Sequence, residues 1–321
     1  MNQAHPIELR GSFLGIAVGE YQHSNDHWEL VRAVPRTREL AALLEGFGYH
    51  PTVLENPTID ELRTGLREWR QRPDTARSPV LLAWSGRATA VGDVLRLAAR
   101  DTSAASEPDC SYRPESLVEN ALGSGADQIL LLIDTCRADR DAVHAVHVAL
   151  GDWAKRTCPP GGAGWLGVLA NCPADDTTED TADDQDAVGS GILLEAAGRL
   201  LRAGPSSGTY RRAWSVQNAG ITGQELLQTL RDELADDEQS LVHVESGTAR
   251  VMFPNPRWRP AQVMFPNPRW RPVQRPHLVE HLVAASRGAA PQDEGWFFTG
   301  RRAVLGRIVA WMHRRLPAPS W

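Results

Sequence analysis

The stretch QILLLIDTC, residues 128–136, decides the fold class of this chain. Five apolar residues stand in a row before the first acidic one, Asp134, and Cys136 follows two residues later. A strand that does not alternate polar and apolar residues is buried on both faces, which is typical of a parallel sheet covered by helices on both sides. The stretch therefore predicts a central strand of an α/β protein.

Strand-like and helix-like segments alternate on both sides of that strand. Further apolar strands are predicted at residues 12–21, 51–56, 80–84 and 165–171, with a short pairing segment at 95–100. Helices are predicted from apolar spacing of three and four residues at 36–48, 58–70, 114–125, 140–153, 190–204 and 222–234. The alternation predicts a three-layer α/β/α sandwich with a mostly parallel central sheet over residues 8–250.

Composition narrows the functional classes. The chain has 321 residues, a formal net charge of −6 and 42% hydrophobic residues, as expected for a soluble globular protein without affinity for nucleic acid. The amino terminus lacks the pattern of a secretory signal, and no apolar run approaches the roughly 18 residues that span a membrane. The four cysteines form no C-x-x-C pair, so we expect reduced thiols in a cytoplasmic protein.

The end of the most apolar strand carries candidate chemistry. Open α/β sheets place their reactive groups at the carboxyl ends of parallel strands, where Asp134 and Cys136 stand. A thiol at this edge is exposed to a substrate, and backbone N–H groups of the adjoining loop can stabilise an oxyanion. A cysteine nucleophile also needs a base, normally histidine, to generate the thiolate.

A second strand end complements the first. In VLLAWSGRATAVG, residues 80–92, we expect the strand to stop on Ser85-Gly86 and to present Arg87 and Ala88. Together with DTC at 134–136, about 50 residues on, and with the order of the flanking elements, this resembles the caspase-like cysteine peptidases (peptidase C14), which include caspases, metacaspases and bacterial relatives. The likeness covers about residues 10–250 and implies a caspase-like sandwich.

The chain departs from that family at one catalytic position. The family's first strand end reads Ser-Gly-His-Gly, and its histidine is the general base; here the four residues are Ser85-Gly86-Arg87-Ala88. The resemblance thus assigns Cys136 as nucleophile and puts Arg87 in place of the histidine. A guanidinium cannot be deprotonated in a protein. Loss of general acid–base catalysis lowers rates by about 10²–10⁴-fold.

Four other histidines are candidates for a relocated base. His23 and His27 follow the first strand, in a loop expected to rim the carboxyl edge, while His144 and His147 share one face of the helix after Cys136. For each of them, a solvated or packed histidine is the alternative.

Two acids have two readings as well. Asp101 and Asp134 match positions that line the substrate pocket in the metacaspase-like branch, which implies a preference for a basic residue before the cleaved bond. Each could instead cap nearby backbone N–H groups. The acidic segment at 174–186 is predicted to be a solvated loop without EF-hand spacing, so no metal and no other cofactor is expected.

The carboxyl-terminal quarter has a different texture. The sequence VMFPNPRWRP occurs at 251–260 and again, unchanged, at 263–272, and its prolines exclude a helix or a central strand. We predict an extended linker at 251–275 whose Phe and Trp side chains lie across the sheet domain or a partner; a local duplication without a selected role is the alternative.

A helical tail is predicted at 276–321. Within it, WFFTGRRAVLGRIVAWM resembles the opening of STAND-type signalling ATPases, which implies association with such a module. The chain has no G-x-x-x-x-G-K-[ST] phosphate loop of its own, so it is not expected to be an ATPase by itself.

Three functional hypotheses remain open at this point. The first is a caspase-like domain with Cys136 retained and Arg87 in place of the base, weak or inactive as a peptidase and serving as an effector or regulatory module of a bacterial STAND-type signalling or defence system. The second is an active cysteine endopeptidase that cleaves after Arg or Lys with a relocated histidine. The third is a non-enzymatic adaptor that binds a protein partner through the Trp-rich carboxyl-terminal segment.

Overall fold

The computed structural model describes residues 9–22, 30–72, 79–91, 94–102, 111–136, 154–157, 164–171, 191–206, 213–234 and 241–259. At residues 89–91 and at Cys136 it describes the backbone alone. The chain divides into two compact units, Met1–Ala261 and Gln262–Trp321, and every described residue belongs to the first. The predicted helix at 140–153, the acidic segment, the second repeat copy and the helical tail lie outside the described residues.

Strands and helices alternate along the first half of the chain, as the sequence predicts. The strands are β1 (Gly11–Ala17), β2 (Tyr49–Glu55), β3 (Pro79–Val91), β4 (Val94–Ala98), β5 (Ser111–Tyr112), β6 (Gln128–Cys136), β7 (Trp165–Asn171), β8 (Gly220–Thr222), β9 (Leu241–Gly247) and β10 (Val251–Pro254). The helices are α1 (Ala33–Glu45), α2 (Ile59–Arg70), α3 (Pro114–Gly123), α4 (Ile192–Ala203) and α5 (Gly223–Leu234).

The central sheet has the strand order β2-β1-β3-β6-β7-β9. Its first five strands are parallel, and β9 pairs antiparallel with β7 at the edge. The four middle strands are apolar over most of their length, and Leu130, Leu131 and Leu132 in β6 are fully buried although they point to alternate faces. The predicted mostly parallel sheet is confirmed.

Helices cover both faces of this sheet. On one face, α2 and α3 pack their leucines against Leu82, Leu131 and other residues of the strands. On the opposite face, α1, α4 and α5 pack against the alternate set, which includes Leu81 and Leu130. Fully burying one such side chain contributes about 1.5–3 kcal/mol, so the two apolar layers hold the strand ends in fixed register. This is the three-layer sandwich that the sequence predicts.

The strand β3 does not stop at Ser85-Gly86, and this prediction is wrong. It loses its partner β1 after Ser85, stays paired with β6 as far as Arg87, and from Ala88 forms an antiparallel hairpin with β4. A Cβ atom at Gly86 would lie 3.2 Å from Tyr21 Oη and 3.3 Å from Val18 Cβ, so the segment after β1 passes close to β3 and would have to shift by a few tenths of an ångström for a larger residue. Likewise, β6 extends through Thr135 to Cys136.

The described part of the first repeat copy is extended and packs its Phe side chain into the sheet domain. Its residues Val251–Pro254 form β10, which pairs antiparallel with β8. Met252 and Phe253 have no exposed surface. Proline is tolerated here because the two strands form a separate ribbon outside the main sheet. This copy therefore belongs to the folded sheet domain.

Candidate active site

The two strand ends singled out in the sequence are neighbours in the sheet. Ser85 pairs with Asp134, Gly86 with Thr135 and Arg87 with Cys136, all between the adjacent parallel strands β3 and β6. Adjacent strands lie about 4.8 Å apart, so the backbones of Arg87 and Cys136 stand side by side at the carboxyl edge of the sheet. The two strand ends that carry the family resemblance are thus adjacent in the sheet.

Tyr21 fixes Arg87 from the segment that follows β1. The backbone N–H of Arg87 donates a hydrogen bond of 2.7 Å to Tyr21 Oη. The guanidinium carbon of Arg87 lies 5.8 Å from the centre of the Tyr21 ring, a cation–π distance. Tyr21 is buried and its segment is tied down by the hydrogen bond from Gln22 N to Arg100 O, so one side chain holds both the backbone and the charged group of Arg87.

Three buried polar residues form a row across the sheet one step before this pair. Ser85, Asp134 and Asn171 align in register on β3, β6 and β7, and each has no exposed surface. Next to this row, Thr135 Oγ1 donates a hydrogen bond of 2.9 Å to the backbone oxygen of Asn171. The row therefore places three buried polar side chains side by side below the candidate site, and the Thr135 hydrogen bond links the ends of β6 and β7.

Asp134 holds the start of helix α4. Its Oδ2 accepts a hydrogen bond of 3.0 Å from the backbone N–H of Leu194 in the first turn of that helix. Burial raises the pKa of Asp134 from 3.8 to about 7, against the opposing effect of nearby backbone N–H groups and of the Asn171 side chain. A carboxyl group in this position is enclosed by protein atoms and anchors α4.

Asp101 plays a similar part at helix α2. Its Oδ1 accepts a hydrogen bond of 2.9 Å from the backbone N–H of Ile59, the first residue of that helix. Both acids thus make the backbone contacts that the capping interpretation requires, and both oxygens involved receive N–H groups from a helix amino terminus. Their role in substrate binding stays a prediction.

The candidate substitute bases cannot be located. His23, His27, His144 and His147 lie outside the described residues. In the described part of the chain the histidines are His50 and His243. His50 pairs with Ser12 near the amino end of β2, and His243 lies on the edge strand β9 beside Glu245 and Arg231. Neither is at the ends of β3 and β6.

Sequence reasoning missed Tyr21 and Asn171 as parts of this edge. Asn171 closes the predicted strand at 165–171, and a polar residue at the end of an apolar strand is the same signal that drew attention to Asp134. Tyr21 had no comparable signal, because its contact with Arg87 N joins residues 66 positions apart in the chain.

Comparison with known families identifies the architecture. The family model described as the caspase domain matches residues 14–252, about three quarters of the chain, and includes both Arg87 and Cys136. The chain belongs to the caspase domain family. The resemblance to caspase-like peptidases and the caspase-like fold are thereby confirmed.

Among solved structures, the chain is similar to the one described as the structure of pro-Sf-caspase-1. The sequences are 15% identical, the match covers 74% of this chain and 84% of that one, and the TM-score is 0.41. The search of curated proteins gives no match.

Two further observations concern metals and membranes. No group of three or more His, Cys, Asp or Glu side chains is arranged to hold a metal ion in the part of the chain that the structure describes. Over the same residues, no helix combines the length and the apolar character needed to cross a membrane.

Proposed function

We propose that this caspase domain has little or no proteolytic activity and acts as an effector or regulatory module. The observation that carries the proposal is the register of β3 and β6, which sets Arg87 beside Cys136 at the carboxyl edge of the sheet. The family resemblance puts the general base at this position, and the residue there has no proton to give or take at neutral pH.

Arg87 can perform part of the work of an imidazolium. A cation beside a thiol favours the thiolate and so lowers the pKa of the cysteine, which helps the first attack on a peptide carbonyl. The subsequent step requires a proton for the leaving amine, and a guanidinium cannot supply it because its own pKa exceeds about 12. The domain is therefore expected to bind peptides or to form an acyl-enzyme slowly, without efficient turnover.

The environment of Arg87 supports the same interpretation. Its backbone N–H and its guanidinium both engage Tyr21, so the arginine is held in a defined place. A fixed cation near the nucleophile position suits the recognition of an anionic group as well as the stabilisation of a thiolate.

The carboxyl-terminal sequence suggests where such a module acts. The segment WFFTGRRAVLGRIVAWM resembles the opening of STAND-type ATPases, and the chain lacks a phosphate loop. We infer association with a STAND-type signalling or defence system in bacteria, in which the caspase domain is the effector end. The partner would be a peptide or a protein.

Peptide cleavage tests the proposal. Wild type should not turn over fluorogenic peptides bearing Arg, Lys or Asp before the cleaved bond, and Arg87→His with Ala88→Gly should raise the rate by about 10²-fold or more if the rest of the site is intact. Arg96→His is the matched control, because Arg96 lies on the neighbouring strand β4 opposite Thr89. It should leave the rate unchanged.

The opposite result would favour the second hypothesis. Robust cleavage by wild type that is abolished by Cys136→Ala would contradict the proposal, and loss of that cleavage in His23→Ala or His27→Ala would identify the relocated base. The adaptor hypothesis requires a partner whose binding survives Cys136→Ala and fails when residues 263–272 are deleted. The deletion should spare the first copy, because Val251–Pro254 is a strand of the folded domain.

A further inference from the structure

The first repeat copy is held by the sheet domain as a bound peptide would be. Strand β10 pairs antiparallel with β8, with Phe253 opposite Ile221 and Pro254 opposite Gly220. The main chain continues this contact, since Asn255 N donates to Ala219 O at 2.9 Å and Arg259 N donates to Val216 O at 2.9 Å. Addition of a strand to an exposed edge is a common mode of peptide recognition.

Two apolar side chains of the first copy are buried in the sheet domain. Met252 and Phe253 are fully buried, and the ring of Phe253 stacks on that of Tyr49 with centroids 5.8 Å apart and an angle of 8° between the planes. The Tyr49 hydroxyl donates a hydrogen bond of 2.6 Å to the backbone oxygen of Met252. Met and Phe are therefore the apolar anchors of the segment.

Polar side chains of the first copy donate hydrogen bonds to backbone carbonyl groups of the domain. The Asn255 amide donates to Ser215 O and to Asn218 O, each at 2.8 Å, and Asn255 is 1% exposed. The Arg257 guanidinium donates to Ala203 O at 3.0 Å and also to Pro205 O. A buried amide with two satisfied donors and an arginine fork on two carbonyls make the contact specific for the sequence.

The second copy carries the same set of recognition residues. Residues 263–272 repeat VMFPNPRWRP without a change, so Met264, Phe265, Asn267 and Arg269 correspond to the four side chains just described. Whatever surface binds the first copy has the chemistry to bind the second, because the two peptides are identical over all ten positions.

We propose that this groove is a binding site for the motif VMFPNPRWRP and that the second copy, residues 263–272, exchanges with the first copy in it. The groove is formed by β8, Tyr49 and the carbonyl groups that hold Asn255 and Arg257, which belong to Ala203, Pro205, Ser215 and Asn218. Exchange moves the point at which the chain leaves the groove by one repeat of twelve residues. The inference does not depend on peptidase activity.

Two differences set the balance between the registers. With the first copy bound, residues 248–250 connect it to β9; with the second copy bound, the connection is 248–262 and is five times as long. The probability of closing a loop falls with the 3/2 power of the loop length, so the first register, with its shorter connection, is favoured about tenfold. The first register also keeps the Arg250 contacts to Asp127 and Gln128, at 2.5 and 2.7 Å, whereas Gln262 stands at the equivalent position in the second. The second copy is therefore the minor occupant.

Four full-length proteins test the exchange: wild type, Phe253→Ala with Asn255→Ala, the matched Phe265→Ala with Asn267→Ala, and all four changes together. The equilibrium constant for unfolding is measured in denaturant. The equilibrium constant of the second-copy variant should stay within about twofold of that of wild type, because the second copy is the minor occupant of the groove. In the first-copy variant the equilibrium constant for unfolding should rise roughly ten- to fiftyfold, because the protein must then use the less favourable second register. In the combined variant the equilibrium constant for unfolding should rise at least a further tenfold, since no intact motif remains to fill the groove.

Equal losses in the first-copy variant and the combined variant would overturn the proposal, since the second copy would then give no rescue. Should the double replacements fail to fold, Asn255→Ala and Asn267→Ala, separately and together, provide the same comparison with a milder change. Hydrogen exchange gives a direct readout: in the first-copy variant, amides of residues 263–271 should become protected by at least tenfold.

The source of the docking copy is distinguished by concentration. Exchange within one chain predicts that the rescue is independent of protein concentration and that the first-copy variant stays monomeric in light scattering. Rescue that grows with protein concentration would overturn the intramolecular exchange and indicate docking between chains. A synthetic peptide VMFPNPRWRP added to the combined variant should restore stability, and its failure to do so at millimolar concentration would argue against a motif-binding groove.

Discussion

The body of the central sheet and its carboxyl edge follow different rules. In the body, apolar residues of β3 and β6 are buried between helices on both faces and any of several aliphatic residues would serve. At the edge, Ser85, Asp134 and Asn171 are also fully buried, yet each is polar, and Asp134 accepts a hydrogen bond from the start of α4. The body sets the position of the edge, and Asp134 at the edge in turn holds the start of α4.

This difference explains how the residue at position 87 can change without loss of the fold. Arg87 stands past the last residue of β3 that pairs with β1, and its contacts are with Tyr21 and the neighbouring strand β6. A larger, charged side chain is accommodated there because the position is half-buried at the rim. The sandwich therefore persists while the chemistry of the edge varies.

The largest effect is expected at Asp134, the buried acid of the edge. The folded state raises its pKa from 3.8 to about 7, so between pH 4 and pH 7 the folded protein binds a proton that the unfolded chain has lost. Stability is then highest below pH 4 as far as this group is concerned and falls as the pH rises to 7, by roughly 4 kcal/mol. Asp134→Asn keeps an oxygen acceptor for Leu194 N and removes the titration.

Denaturant unfolding from pH 4 to pH 8 measures this prediction. The free energy of unfolding of wild type minus that of Asp134→Asn should decline across the range, and Asp60→Asn on the exposed side of α2 controls for the loss of one negative charge. A difference that does not change with pH would show that Asp134 is ionised in the folded protein throughout.

A smaller but still large effect is expected in the body of the sheet. Leu132 in the middle of β6 has no exposed surface and packs into the layer under α1, α4 and α5. Leu132→Ala should lower the free energy of unfolding by about 3 kcal/mol, through lost burial and the cavity it leaves. Arg87→Gln, at the rim of the same sheet, should change it by less than about 1 kcal/mol. Comparable losses for the two variants would contradict the separation of body and edge.

The body of the sheet could be predicted because strands that are buried on both faces consist of continuous apolar residues. The apolar runs at Val80–Trp84 and Leu130–Ile133 were sufficient to predict buried strands of a parallel sheet, and the resemblance to caspase-like peptidases singled out the strand ends that carry Arg87 and Cys136. The sequence also contains a pattern that predicts the continuation of β3. The dipeptide Gly92-Asp93, between the paired residues 88–91 and 94–97, is typical of a two-residue hairpin connection.

The edge contacts were harder to predict because they join distant parts of the chain. The carboxyl group of Asp134 is buried by the start of α4, some 60 residues later, so its strand-end position alone left two roles open. Phe253 stacks on Tyr49 although 204 residues separate them, and the sequence left open whether the proline-rich repeat lies across the sheet domain or a partner. Tertiary packing decides these contacts.

The smallest effect is expected at Tyr21, which acts on Arg87 from outside the sheet. Tyr21→Phe keeps the ring beneath the guanidinium and removes the oxygen that accepts the Arg87 N–H, so it should lower the free energy of unfolding by about 1 kcal/mol. Tyr112→Phe is the matched control, since the Tyr112 hydroxyl accepts a hydrogen bond from Asn120 on helix α3 and does not contact the backbone of residue 87. In the protein with Arg87→His and Ala88→Gly, Tyr21→Phe should lower kcat severalfold with little change in KM, because the backbone at residue 87 loses its anchor. Equal effects of the two tyrosine changes on kcat would rule out a positioning role for Tyr21.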